Sequence, residues 1–180
     1  MTGRLGKGEL RAEVAGRRRA RPQAERDAAA AALAERVLAL PGLAAASTVT
    51  AYESFPTEPG TGPLLEALRG RGVQVLLPVL RDDNDLDWVA DGEALGVDAV
   101  RSAQVLVCPA VAVTPDGRRL GRGGGSYDRV LARADPGTLT VALLHNDEVV
   151  DDLPSEPHDR SVDVVVTPTR TLRARGSAGR

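Results

Sequence analysis

Val105-Leu106-Val107-Cys108-Pro109-Ala110-Val111-Ala112-Val113 runs into a turn at Asp116-Gly117. Then comes Arg118-Arg119-Leu120-Gly121-Arg122-Gly123-Gly124-Gly125-Ser126-Tyr127-Asp128-Arg129, and the segment closes on the apolar run Leu139 to Leu144. The first and last pieces read as strands, with Pro109 removing a donor and bending or ending the first. Between them Tyr127, Val130, Leu131 and Ala134 fall at i, i+3, i+4 and i+7, one face of a helix. Four glycines in five positions precede that helix. They form a loop that accepts positive φ and lets another molecule approach the backbone. Free N–H groups and the dipole at the helix start favour an anion, commonly phosphate. The plain alternative is a mobile surface turn.

Outward from this segment the same alternation continues. Residues from Leu5 to Ala20 are rich in helix formers. After Pro22 a second helix is expected to about Leu40, with Ala30, Leu33, Val37 and Leu40 on its buried face and Pro41-Gly42 as its stop. Thr48 to Ser54 is a short strand candidate that delivers Phe55 to Thr61 into a loop. A helix carrying Leu64, Leu65 and Leu68 follows. Val73 to Val79 reads as a strand buried on both faces. Leu86 to Val89 is expected as a short edge strand, and Val162 to Val166 as the last strand. Strands alternating with helices predict a single α/β domain, three layers (α/β/α) around a mostly parallel sheet. The domain is expected over 1–168, with 169–180 as a mobile tail. Ligands of such sheets bind beyond the carboxyl ends of strands, which singles out the loops after Ser54, Val113, Leu144 and Val166.

Composition narrows the function. The 180 residues carry a net charge of −2, so nothing global points to nucleic acid or a membrane. One cysteine, Cys108, excludes an intramolecular disulfide and reads as a small core residue. The start MTGRLGKGELR has no apolar stretch suited to a signal peptide, so a soluble cytoplasmic protein is expected. Standard signatures fail. A P-loop needs lysine after the glycines, and the only lysine is Lys7. Ser126 lacks the final glycine of a nucleophile elbow, because Asp128 stands there, which leaves a serine hydrolase as a weak alternative. Two histidines and one cysteine, scattered along the chain, speak against zinc. Asp83, Asp85 and Asp87 mimic the start of a calcium loop, but Trp88 occupies the place that demands glycine.

A set suited to phosphate chemistry remains. Arg119 and Arg122 can neutralise a polyphosphate. Asp128 and Asp159 are carboxylates on site-side loops, able together to hold one Mg²⁺ alongside substrate phosphates. Each has an ordinary reading too, Asp128 as a helix-start acid and Asp159 as a turn residue. His158 reads as a surface residue or an acid–base group, and Glu58 as a loop acid.

These residues together resemble the 5-formyltetrahydrofolate cyclo-ligase family. The resemblance rests on Lys7, Leu10 and Arg11; on Ser54, Glu58 and Thr61; on Leu77-Pro78; on RLGRGGGSYDR; and on LPSEPHDRSVDVVVTP, from Leu153 to Pro168. It covers Lys7 to Pro168. It implies a three-layer α/β sandwich that uses ATP and Mg²⁺ to close 5-formyltetrahydrofolate to 5,10-methenyltetrahydrofolate, releasing ADP and phosphate. It implies that Lys7, Arg11, Arg119, Gly121, Gly123, Gly124, Gly125 and Tyr127 bind ATP, and that Arg119, Arg122 and Asp128 serve catalysis. Glu58, Phe55, Arg122 and Ser126 would contact the folate, and Asp128 and Asp159 would hold Mg²⁺. A monomer is expected. Where the family commonly has two tyrosines before the aspartate, this chain has Ser126-Tyr127, and Glu148 replaces a common glutamine. Phe55, Trp88 and Tyr127 are then the nearby candidates for stacking on a pterin, with packing onto the sheet edge an equal reading for Trp88. The rival reading is a non-catalytic relative that binds nucleotide or RNA.

Overall fold

The computed structural model describes residues 6–154 and 156–174. One sheet organises it, in the strand order β10-β9-β8-β5-β1-β2-β3-β4. Its centre is parallel. β1 (Thr48–Thr50) lies between β2 (Gln74–Leu80) and β5 (Val105–Pro109), followed by β8 (Leu139–Leu143) and β9 (Val164–Val166). The margins are antiparallel: β3 (Leu86–Ala90) and β4 (Glu93–Ala94) on one side, β10 (Thr171–Arg173) on the other. A separate two-stranded ribbon, β6 (Ala112–Val113) with β7 (Arg119–Leu120), leads into the glycine-rich loop. The expected α/β class and mostly parallel sheet are what the structure has.

Helices cover both faces because the central strands are apolar on both. On one face α2 (Gln23–Leu38) and α4 (Gly62–Gly70) bury Leu33, Val37, Leu64 and Leu68 against Val49, Val107 and Val141. On the other, α5 (Ser126–Arg133) sets Val130 among Leu76, Leu106, Cys108 and Ala142. A six-residue 3-10 helix, Val97–Ser102, adds Val100 to that cluster. Burial of each such aliphatic side chain is worth roughly 1.5–3 kcal/mol. The first helix, α1 (Lys7–Ala20), packs Leu10 and Val14 on Val111, Ala112, Leu120 and Leu153.

Several boundaries differ from the sequence reading for identifiable reasons. Pro41-Gly42 does not simply stop a helix; α2 ends at Leu38, and Pro41 opens a single turn, α3 (Pro41–Ala44), as proline at a first helical position can. The strand expected to be buried on both faces is buried only in its first half, and Val79 and Leu80 are exposed. The register gives the cause: β1 pairs only with Gln74 to Leu76, and from Leu77 the strand runs on beside β3 alone, along the cavity. β3 itself is not the edge, since β4 pairs outside it. Thr171–Arg173, within the stretch assigned to a tail, pair with Val164–Val166, and Leu172 packs on the second cluster. Main-chain pairing of this kind leaves no signal in apolar content. The remainder of the expected tail, 175–180, lies outside the described residues.

Candidate active site

At the carboxyl ends of β1, β2 and β5 the sheet opens into a cavity of about 770 Å³. It receives residues from α1, the β1–α4 loop, the β2–β3 hairpin, the glycine-rich loop and the 156–159 loop. Of the four loops singled out by the strand-end rule, the one after Val166 does not reach it.

One wall is charged. Lys7 and Arg11 lie one turn apart on α1, and the stripe continues through Val14 to Arg18. Arg18 fixes the helix in place. Its guanidinium donates to both oxygens of Glu148, at 2.6 and 2.9 Å, and to the carbonyl of Ala110 at 2.7 Å. Both side chains are almost wholly buried, at 7% and 1% exposed, and Glu148 also accepts the His145 N–H. A buried pair satisfied this completely resists rearrangement. From that anchor Arg11 Nε donates to the Gly121 carbonyl at 2.9 Å, tying α1 to the glycine-rich loop. Lys7 Nζ reaches Asp159 at 2.9 Å and Glu156 at 3.2 Å. Burial works against the Lys7 charge, but these two acids outweigh it and raise its pKa. Burial also opposes ionisation of Asp159, and the hydrogen bond from Lys7 leads the effects that hold its pKa low.

The glycine-rich loop bends as glycine permits. Gly123 has φ +114° and Gly125, the N-cap of α5, has φ +71°, conformations strained for any side chain. The bend turns the start of α5 toward the cavity, and Ser126, Tyr127 and Asp128 all line it. Arg119 is buried (2% of its side chain exposed) and donates to Asp128 Oδ1 at 3.1 Å and to the Pro109 carbonyl at 3.2 Å. The same Asp128 oxygen accepts the backbone N–H of Arg160 at 3.1 Å, so the loop bearing Asp159 is latched onto α5.

The opposite wall is apolar. Leu77, Pro78, Leu80 and Leu86 come from the β2–β3 hairpin, and Phe55 projects from the loop after β1, 57% exposed. That loop is knotted at its ends. The Thr61 hydroxyl donates to the Tyr52 carbonyl at 2.6 Å and accepts the Ser54 N–H, and the Ser54 hydroxyl accepts the Thr61 N–H. The knot holds Glu58 buried, one oxygen accepting the Phe55 N–H at 2.9 Å and the other 3.6 Å from Arg122 Nε. The Arg122 guanidinium lies over the Phe55 ring at 4.5 Å, a cation–π contact that bridges the two walls.

The sequence of the chain matches the model of the 5-formyltetrahydrofolate cyclo-ligase family over residues 4–168. The chain belongs to this family. A 5-formyltetrahydrofolate cyclo-ligase of Mycolicibacterium smegmatis is 35% identical to it over 189 residues, 93% of this chain and 96% of that protein. The Escherichia coli K12 cyclo-ligase is 32% identical over 157 residues, 76% of this chain and 86% of its own. Among solved structures, the 5,10-methenyltetrahydrofolate synthetase of Aquifex aeolicus superposes with a TM-score of 0.79 at 25% identity, covering 97% of this chain and 94% of that one. The synthetase of Mycoplasma pneumoniae has a TM-score of 0.81 at 19% identity, with 91% and 99% coverage, which supports the fold.

Within this cyclo-ligase fold the residues singled out from sequence converge. Lys7, Arg11, Phe55, Glu58, Arg119, Arg122, Asp128, Asp159 and the loop from Gly121 to Tyr127 all line one cavity. One reading changes. Trp88 is fully buried among Leu76, Leu86 and Val100 and is no stacking partner. Asp128 is engaged by Arg119, and the described residues whose ligand atoms lie within 4.8 Å of one another are Glu156, His158 and Asp159. Two carboxylates in that group, with a third latched nearby, suit a hard divalent cation that shares phosphate oxygens. His158 is 69% exposed on its side chain. Sequence reading missed Glu156, the apolar hairpin wall and Tyr52. Only Glu156 had a local signal, two residues before His158 in the same loop.

No helix among the described residues is long and apolar enough to cross a membrane.

Proposed function

We propose that the chain catalyses ATP- and Mg²⁺-dependent closure of 5-formyltetrahydrofolate to 5,10-methenyltetrahydrofolate, releasing ADP and phosphate. The observation that carries this reading is one cavity with a cationic wall, built on a glycine-rich helix start, facing an apolar wall that holds one buried acid. A polyanion and a flat apolar ring system can lie side by side there.

In this reading Lys7, Arg11, Arg119 and the backbone N–H groups from Gly121 to Tyr127 hold the triphosphate. Asp159 and Asp128, assisted by Glu156, would hold Mg²⁺, which when bound neutralises phosphate charge. Glu58 and Phe55 orient the pterin, and Ser126 borders it. The formyl oxygen attacks the γ-phosphorus, the bond to ADP breaks, and an imidate phosphate forms. N10 then attacks the activated carbon, its proton departs, and the C–O bond breaks to release phosphate. Arg119 and Arg122 offset the charge that develops on the transferring group. The remaining contribution is positioning, which for such reactions is the larger share.

The same reading takes the chain as a monomer acting through a domain of residues 1–168 on small substrates rather than on nucleic acid or a membrane. A cytoplasmic location is part of the same reading. The test is direct. The protein is incubated with 5-formyltetrahydrofolate and Mg-ATP, and methenyltetrahydrofolate is followed by its near-UV absorbance. Absence of product from protein that binds ATP would sink the enzyme reading and favour a nucleotide-binding relative.

A further inference from the structure

Asn84 sits at the tip of the β2–β3 hairpin, between Leu80 and Leu86 of the apolar wall. It lines the cavity, whereas the acids around it, Asp82, Asp83 and Asp85, do not. Its φ is +61°, a left-handed conformation that asparagine tolerates better than most residues. Its backbone N–H closes the turn on the Arg81 carbonyl at 3.0 Å, so the turn does not call on the side chain. The carboxamide is exposed and has no hydrogen-bond partner among the described residues.

That carboxamide is held beside the glycine-rich loop. A Cβ placed on Gly124 would lie 3.9 Å from Asn84 Oδ1 and 3.6 Å from Ser126 Oγ. The hairpin tip is tied to the helix that the loop begins. Arg129 donates to the Asp83 carbonyl at 2.6 Å, and Arg133 donates to both oxygens of Asp85. Tip and loop therefore keep one spacing, with the amide in reach of whatever the loop N–H groups hold. A half-turn of its terminal torsion exchanges Oδ1 and Nδ2, so either a donor or an acceptor can face that group.

The chemistry selects an anion. The loop N–H groups and Arg119 already favour one, and a neutral carboxamide adds a donor, where any of the neighbouring acids would repel it. The position selects which phosphate. The hairpin that carries Asn84 also carries the wall assigned to the ring system, so this residue stands where the two walls meet. In the proposed reaction the formyl oxygen attacks the γ-phosphorus. The γ-phosphoryl group is then the one at the junction, and the α- and β-phosphates extend away from the acceptor.

We infer that the Asn84 carboxamide donates to an oxygen of the γ-phosphoryl group and so makes the site distinguish ATP from ADP. It is a specificity-determining residue supplied by the hairpin, not by the glycine-rich loop. The inference rests on the nucleotide reading above and deepens it.

The test compares ligands on two variants by calorimetric titration with Mg²⁺ present. Asn84→Gly removes the amide and keeps the left-handed turn. Asn84→Asp keeps the size and the turn but replaces the donor by an anion. In Asn84→Gly the Kd of adenylyl imidodiphosphate, a non-hydrolysable ATP analogue, should rise about tenfold, the effect of losing one hydrogen bond to a charged group. The Kd values of ADP and of 5-formyltetrahydrofolate should stay within about twofold, and the melting temperature of the free protein should hold. Asn84→Asp should weaken the analogue further than Asn84→Gly does. An equal loss for ADP and the analogue overturns the inference, because a disturbed loop weakens both. A loss confined to 5-formyltetrahydrofolate overturns it too, by moving Asn84 to the other substrate. If the wild-type protein binds the analogue and Asn84→Gly matches it, this inference alone fails. If the wild-type protein binds neither nucleotide, the inference and the nucleotide reading fail together.

Discussion

The two walls of the cavity are built by different means. The charged wall is continuous in cause: Arg18 and Glu148 anchor α1, α1 carries Arg11 to the Gly121 carbonyl, and the loop begun there ends in Asp128 against Arg119. Each group is held by another, mostly buried, group. The apolar wall is a gathering of strand ends and loop tips, and Phe55 and Leu80 stand 57% and 65% exposed on it. A network of paired charges fixes positions before any ligand arrives, whereas an exposed apolar surface gains its favourable contacts only when something covers it. The charged wall should therefore be brittle and preorganised, the apolar wall tolerant and adjustable.

The largest expected break is on the charged side. Asp128→Ala leaves the Arg119 guanidinium buried without its acid and frees the Arg160 latch. We expect kcat to fall by on the order of 10²-fold or more, measured at saturating ATP, folate and Mg²⁺. An unchanged rate there would remove Asp128 from the chemistry. Glu148→Ala probes the same wall from behind. It strands Arg18 in the interior and should lower stability by about 3–5 kcal/mol in a denaturant titration. It should also raise the KM for ATP as α1 loosens. A loss below about 1 kcal/mol would show that α1 is held by Leu10 and Val14 instead.

On the apolar side, Phe55→Ala should raise the folate KM by roughly 2- to 10-fold, the range of one aromatic contact, and leave melting unchanged. A matching rise in the ATP KM would show that the Arg122–Phe55 contact makes one unit of the two walls. The smallest effect concerns the contact between the hairpin and α5. Asp85, on the hairpin, accepts two hydrogen bonds from Arg133 of α5, at 3.1 and 2.7 Å. The Arg133 hydrogen bond is the main cause of its lowered pKa. Because the folded pKa lies below the unfolded value, the stabilisation is present above about pH 4 and is lost as pH falls through the folded pKa. Asp85→Asn should cost about 1 kcal/mol at neutral pH and nothing below that window, read from melting curves across pH 2–7.

The same contrast explains what could be read from the sequence. The charged wall was legible because its chemistry is local: four glycines, flanking arginines and a helix start are contiguous between Arg118 and Arg129. The parallel core was legible because doubly covered strands must be apolar throughout. The hairpin part of the apolar wall was not, because Leu80 and Leu86 join Phe55 only when β2 and β3 turn back beside the loop after β1. Trp88 looked like a stacking ring for the same reason; its burial follows from where β3 pairs, which no local pattern encodes. Glu148 was noticed only as a replacement for a family residue. Its partner Arg18 lies 130 positions away on α1, beyond the reach of any local pattern.

Cys108 gives the fold a built-in reporter. It is the only thiol, fully buried on β5 beneath α5, and burial pushes its pKa up to about 11. The thiolate that alkylating reagents require is therefore absent from the closed molecule twice over, by access and by ionisation. Its labelling rate becomes a clock for opening of the central sheet, readable by mass in a single-site experiment without any introduced probe. Ligands that fill the cavity above β5 should slow that clock.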